Sequence, residues 1–285
     1  MISIDKVKTI SDLSVYWLIN YAKERKSASS IKRDHGMLKN YILPNFGIRK
    51  TKSIKASEVE AWLGTLVGNK GISKKSANDV LILFNKIMND AVRWELILSN
   101  PLMKVTRFKT EQKEFDFWKQ HEAKRFLGSQ LGVKKPPRIY WPVAVALYTG
   151  MRRGEIQALT WKDINERSGL MTVKRSYCRV SNKTKETKSR KIRYIPISIS
   201  FKALLERIRK ESNSELIVPF FNPDYYGREF KKLSKELRLP NIRFHDLRHT
   251  FASNFLMGGG NIYDLQKILG HSTIQMTERY LHLVP

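Results

Sequence analysis

The sequence predicts a mainly α-helical fold with one small β-sheet or hairpin. Two domains are expected, a helical one over residues 1–108 and a mixed α/β one over residues 109–285. Three observations carry this. Apolar residues recur at helical spacing through most of the chain. β-Branched and aromatic residues crowd only two stretches, 170–180 and 192–199. Between residues 105 and 114 the periodicity disappears, and Arg107, Lys109 and Lys113 stand among polar residues, which places the domain boundary there.

The first stretch, 11–45, carries Leu13, Tyr16, Trp17, Ile19 and Tyr21, then Ile31, Leu38, Tyr41 and Ile42, as two helices separated by the polar run 23–30. Pro44 and Gly47 close the second. Ser57 reads as the N-cap of a helix carrying Val59, Trp62, Leu63 and Leu66. Ser73 or Ser76 opens the longest helix, with Val80, Leu81, Phe84, Ile87, Met88 and Ala91 inward, and Asn100-Pro101 stops the run that follows. Helices follow near 121–127, at 141–148, which reads as buried, and at 153–159. The strands 170–180 and 192–199 flank a strongly basic turn over 181–190. Helices resume at 201–208 and 226–237. Only about ten residues precede the first helix, too few for a further folding unit, so the chain is expected to be either a simple two-domain type or one whose front has been removed.

Against 26 acidic residues stand 53 lysines and arginines, a formal net charge of +27 over 285 residues. Such an excess calls for a polyanion, nucleic acid ahead of an anionic membrane surface. No long uncharged apolar run and no signal-peptide pattern is present, so a cytoplasmic protein is expected, with no membrane partner. Cys178 is the single cysteine, which excludes an intrachain disulfide and a cysteine-rich metal site.

The chemistry concentrates towards the end of the chain. In Arg243-Phe244-His245-Asp246-Leu247-Arg248-His249-Thr250, the spacing of Leu247, Phe251 and Phe255 predicts a helix, with His245 and Arg248 on one face. Asn261 with Asp264 resembles a capping box, Gly270 is placed to end that helix, His271 follows it, and Tyr280 falls on the next short helix. Upstream, Thr149-Gly150-Met151-Arg152-Arg153-Gly154-Glu155 sets two arginines at a helix start. Basic side chains there oppose the helix dipole and ask for an anion such as phosphate. Singly these features have plain alternatives, solvated arginines and a core tyrosine among them. A metal site built from His245, His249 and His271 is disfavoured, since no glutamate follows His245 and Arg248 between the imidazoles would oppose a cation. His249 reads instead as a packed or capping residue, and His282 as exposed.

Taken in order, Thr149-Gly150-Met151-Arg152…Glu155, the basic hairpin turn, His245-Asp246-Leu247-Arg248, Leu269-Gly270-His271 and Tyr280 resemble the tyrosine recombinases, the phage integrase family. The resemblance covers the second half of the chain, and the helical first half is similar by pattern to that family's core-binding domain. It implies a catalytic domain over 109–285 in which Arg152 and Arg248 grip the scissile phosphate, with His245 and His271 beside them. Tyr280 would be the nucleophile and Glu155 an acidic support of the first arginine. The catalytic lysine would lie in the hairpin turn upstream of Ile195-Pro196. Lys188 matches that register, with Lys183, Lys185 and Lys191 as alternates. Double-stranded DNA is the implied partner, bound by a homotetramer together with accessory proteins that bend DNA or set direction. No cofactor is expected, because the covalent link to tyrosine keeps the bond energy.

Elementary chemistry agrees with such a set. Arginine forks meet phosphate oxygens with always-charged donors, and a phenol with an ordinary pKa of about 10 needs nearby positive charge or a proton acceptor to attack. The leaving 5′ oxygen needs a proton, which a lysine on a hairpin can deliver. Three alternatives remain at this point: a type IB topoisomerase, a catalytically inactive DNA-binding protein and a membrane-surface protein.

Overall fold

A computed structural model of the chain describes residues 3–111, 114–186, 192–218 and 223–283. It divides into two compact units, residues 1–113 and 114–285. The division falls slightly beyond the expected 108/109. Asn78 ties Phe108 back to the first unit, its Nδ2 donating to the Phe108 carbonyl and its Oδ1 accepting from the Phe108 N–H (2.9 Å each).

In the first unit, α1 (Ile10–Trp17) continues through a wider-turned segment, Leu18–Ala22, into α2 (Lys23–Arg25). Likewise α3 (Ala28–Met37) runs through Leu38–Ile42 into α4 (Leu43–Phe46). Then come α5 (Ala56–Gly68) and α6 (Lys74–Arg93). Thr9 and Ser27 cap the first two rods, and Ser73, of the two serines considered, caps α6. Ser57 is not an N-cap: α5 begins at Ala56 after an extended Lys55, so the serine lies inside the first turn. Trp17, Leu13, Val59, Phe84, Ile87 and Met88 are buried completely between these rods. The Trp17 Nε1–H donates to the buried Asp90 carboxylate at 2.8 Å, and Lys86 and Arg93 balance that charge.

The second unit opens with α7 (Gln120–Gly128), α8 (Tyr140–Thr149) and α9 (Arg153–Gln157). Nearly every residue of α8 is buried, as its unbroken apolar composition demands, and the later helix Asp246–Met257 packs across it. Short antiparallel strands follow: β1 (Ile164–Asn165), β2 (Leu170–Val173), β3 (Arg175–Cys178), β4 (Lys183–Glu186) and β5 (Arg193–Pro196). Among the described residues they form two sheets, β1-β2-β5 and a separate β3-β4 hairpin. The single strand expected over 170–180 is therefore two strands, broken at Lys174, and part of the expected turn over 181–190 is strand β4. Every residue of Lys183-Thr184-Lys185-Glu186 is exposed, so no apolar alternation announces that strand. Inward-facing Met171, Val173 and Ile195 join the core, and Arg193 shares the Ile195 face. Last come α10 (Ile199–Glu211), α11 (Pro223–Glu236), α12 (Asp246–Met257), α13 (Ile262–Leu269) and the short α14 (Gln275–Glu278). No helix among the described residues is long and apolar enough to cross a membrane.

Candidate active site

Two left-handed glycines set the frame. Gly150 (φ +61°) ends α8, and Gly270 (φ +65°) ends α13. A Cβ on Gly150 would lie 2.5 Å from the Phe251 ring, and one on Gly270 would lie 2.9 Å from the Arg193 Cδ, so neither position has room for another residue. These turns also supply carbonyls to Arg248. That side chain is almost fully buried, and its two terminal nitrogens donate to the Gly150 and Leu269 carbonyls at 2.7 and 2.6 Å. Burial, then the neighbouring Arg152 charge, push the Arg248 pKa down to about 9, which still leaves the guanidinium charged at neutral pH.

Arg152 stands immediately before α9. Its N–H donates to one Glu155 oxygen (2.8 Å) and its Nη1 to the other (3.1 Å), while 35% of the side chain remains open to solvent. Glu155 is buried, and Arg193 approaches it with both terminal nitrogens, at 3.1 and 2.6 Å. Burial alone would raise the Glu155 pKa, but the Arg193 hydrogen bonds and charge outweigh it and hold the carboxyl below the usual range. The Arg193 Nε also donates to the Ile268 carbonyl at 2.8 Å. One side chain of β5 thereby fixes both the carboxylate that orients Arg152 and the turn that presents His271.

His271 shares a 2.8 Å hydrogen bond with Thr277 through Nδ1. Burial, reinforced by the Arg248 and Arg152 charges, lowers its pKa to about 3. His245 lies just before α12 on the exposed rim, and desolvation of its ring and the Arg248 charge lower its pKa. Asp246, the first residue of α12, accepts from the Arg243 N–H and from its guanidinium. Asn261 caps α13 through the Tyr263 N–H alone, and Asp264 faces Lys267, so the expected reciprocal capping box is not made.

Tyr280 does not sit on a helix; it lies in the turn after α14 and is 1% exposed. Its hydroxyl is 2.8 Å from Nδ1 of His249. Phe115 stacks on the His249 ring at 4.6 Å and meets the Tyr280 ring edge-on at 5.1 Å. Burial raises the Tyr280 pKa, against the lowering influence of Arg248, Arg279 and Arg152. The phenol thus lies within the field of both arginines whose resemblance placed them at a phosphate. Together the buried guanidinium, the open one and the neutral imidazoles form a cationic pocket suited to a phosphodiester oxyanion, with a phenol at its side.

The phage integrase family model matches residues 117–285. The chain belongs to that family. An integrase of Haemophilus phage HP1 is 37% identical over 187 residues, which cover 65% of this chain and 49% of the relative. The integrase of Escherichia phage 186 is 34% identical over 219 residues, covering 76% and 59%. The chain therefore spans about half to three fifths of these relatives' lengths. In fold it resembles the Tn1549 transposon integrase solved with a circular intermediate DNA (TM-score 0.81, 21% identity, 96% of this chain and 94% of that one). It also resembles a lambda integrase dimer bound to a core site (TM-score 0.78, 17% identity, 95% of each).

Of the residues that the family resemblance singled out, Arg152, Glu155, Arg248, His271 and Tyr280 converge on the site of this phage integrase family member, and His245 borders it. Lys188 and Lys191 lie outside the described residues. Lys183 and Lys185 stand exposed on β4. Sequence reasoning missed Arg193 and Phe115, and it gave His249 no part in the site. The only sequence trace of Arg193 was its place two residues before Ile195, on the inward face of an alternating strand.

Proposed function

We propose that the chain is a site-specific DNA recombinase that integrates or excises a phage or other mobile element through a 3′-phosphotyrosyl intermediate at Tyr280. The observation that carries this is the phenol of Tyr280 lying within the field of Arg152 and Arg248 in a family-typical second unit. Arg152 and Arg248 bind the non-bridging oxygens of the scissile phosphate. Glu155 holds Arg152, and His245 and His271 hydrogen-bond the phosphate from either side. Tyr280 attacks phosphorus, and the bond to the 5′ oxygen breaks. Lys188 gives that oxygen its proton. A 5′ hydroxyl from the partner strand then reverses the step.

The first unit acts as a core DNA-binding domain, so that the two units hold the duplex chiefly through backbone contacts. The active assembly is a homotetramer on two sites, a proposal supported by the lambda integrase tetramer solved on a Holliday junction. Accessory bending or directionality proteins act with it on the bacterial nucleoid. The test pairs two assays. With two cognate sites on one supercoiled plasmid, the proposal expects recombinant circles, lost in Tyr280→Phe. Relaxation without exchange of sites would contradict it and indicate a type IB topoisomerase.

A further inference from the structure

Accepting Tyr280 as the nucleophile raises the question of where its proton goes. Arg152 and Arg248 carry no acceptor. Nδ1 of His271 is engaged by Thr277, and His245 lies on the exposed rim. His249 Nδ1, by contrast, lies 2.8 Å from the Tyr280 oxygen, inside a water-excluded pocket. Phe115 stacks nearly parallel to that imidazole, at 23°, and fixes its plane while it also packs on the phenol. Arg279 lies over the Phe115 ring at 5.1 Å.

We propose that His249 is a catalytic residue for this reaction: Nδ1 accepts the Tyr280 hydrogen bond and takes its proton as the phenol oxygen bonds to phosphorus. The step rests on the recombinase proposal. It balances as follows. The Oη–H bond breaks, its proton passes to Nδ1, the Oη–P bond forms, and the P–O5′ bond breaks with a proton supplied to O5′ by the hairpin lysine. Rejoining returns both protons, so no net acid or base is consumed. The step requires the His249 tautomer protonated at Nε2, with Nδ1 accepting from the Tyr280 hydroxyl. Its basicity is low in the free protein: burial, then Arg279 and His245, bring the pKa down to about 4. A neutral, proton-free Nδ1 is the form a base requires. A phosphodiester anion seated on the arginines offsets their charge and makes the imidazole more basic at the moment of attack.

The groups that bear on His249 are His245, Asp246 and Arg248 on or beside its own helix, and Arg279 and Tyr280 after α14, with His282 across the Phe115 ring. His245 is a second imidazole whose ring centroid lies 5.6 Å from that of His249, so the pH arm of the test includes His245→Asn as a control.

The probe is a nicked duplex with a randomised core, from which wild-type protein selects the sequence on which it becomes covalently trapped. The selected duplex is then made with ordinary oxygen and with sulfur at the 5′ bridging position, whose thiolate leaves without a proton. His249→Ala and His249→Gln should slow adduct formation by about 10² or more, the usual worth of a positioned base. Because the missing group serves the nucleophile, the sulfur substrate should not restore the rate. The wild-type rate should fall on the acid side of its pH profile, and that limb should vanish in His249→Gln but persist in His245→Asn. Unfolding midpoint and duplex affinity, measured in parallel, should stay near wild type in His249→Gln, whose amide oxygen still accepts the Tyr280 hydrogen bond. Wild-type rates in both His249 variants, faster cleavage in either, or rescue by sulfur would overturn the role of His249 alone. A wild type trapped on no duplex, or a Tyr280→Phe protein trapped as well as wild type, would remove the recombinase proposal and the His249 step with it.

Discussion

Glu155 and Arg193 bury opposite charges against each other, at 2% and 7% exposure, and the ion pair joins β5 to the start of α9. Breaking such a pair from one side is costly, since the remaining charge keeps its desolvation penalty. Arg193→Met should lower unfolding free energy by about 3–5 kcal/mol in denaturant titration, and Arg193→Met with Glu155→Gln should lose less than the two single changes summed. The titration signs follow from the same contacts. Glu155 is held below its ordinary pKa, so its contribution is present above that ordinary value and is lost as pH falls through the lowered one. His249 and His271, at about 4 and 3, take up protons in the unfolded chain near 6.5 but resist doing so when folded. Their contribution is complete above about pH 6.5 and declines as pH falls from there towards 4 and below. Denaturant titrations from pH 7 down to pH 4 should show that decline, with a shallower slope in His249→Gln.

Among elements, the turns after α8 and α13 govern the site more than the helices themselves. Gly150→Ala and Gly270→Ala would each meet an unfavourable left-handed backbone costing about 1–2 kcal/mol, plus a steric clash, and a loss of thermal stability larger than that is expected by calorimetry. Arg248 takes carbonyls from both turns, so the same variants should also cleave DNA poorly. Helices were legible where an apolar stripe repeats, as in α6 with Val80, Phe84, Ile87 and Ala91. Strand β4 was not, because hydrogen bonding to β3 and not burial holds Lys183–Glu186. The site was legible where residues cluster in sequence, as Arg152 with Glu155 and His245 with Arg248 do. Arg193 and His249 find their partners only after folding, 38 and 31 residues away, and no local spacing signals either contact.

For the whole molecule, a net charge of +27 is the dominant physical fact. Each phosphate neutralised by lysine or arginine releases counterions, so binding to a duplex of unrelated sequence should weaken steeply with salt. A loss of about 10³-fold or more between 50 and 200 mM is expected if six or more phosphates are contacted. Fluorescence anisotropy across that range measures it, and a flat response would show that the charge is not a nucleic-acid footprint.

One covalent bond, between Tyr280 and DNA, decides the mechanism. Protein trapped on its selected nicked duplex, digested with nuclease and trypsin and read by tandem mass spectrometry, identifies the residue that carries the nucleotide. The expected result is a phosphonucleotide on Tyr280. A nucleotide on any other residue, such as the exposed Tyr263, would contradict the assignment.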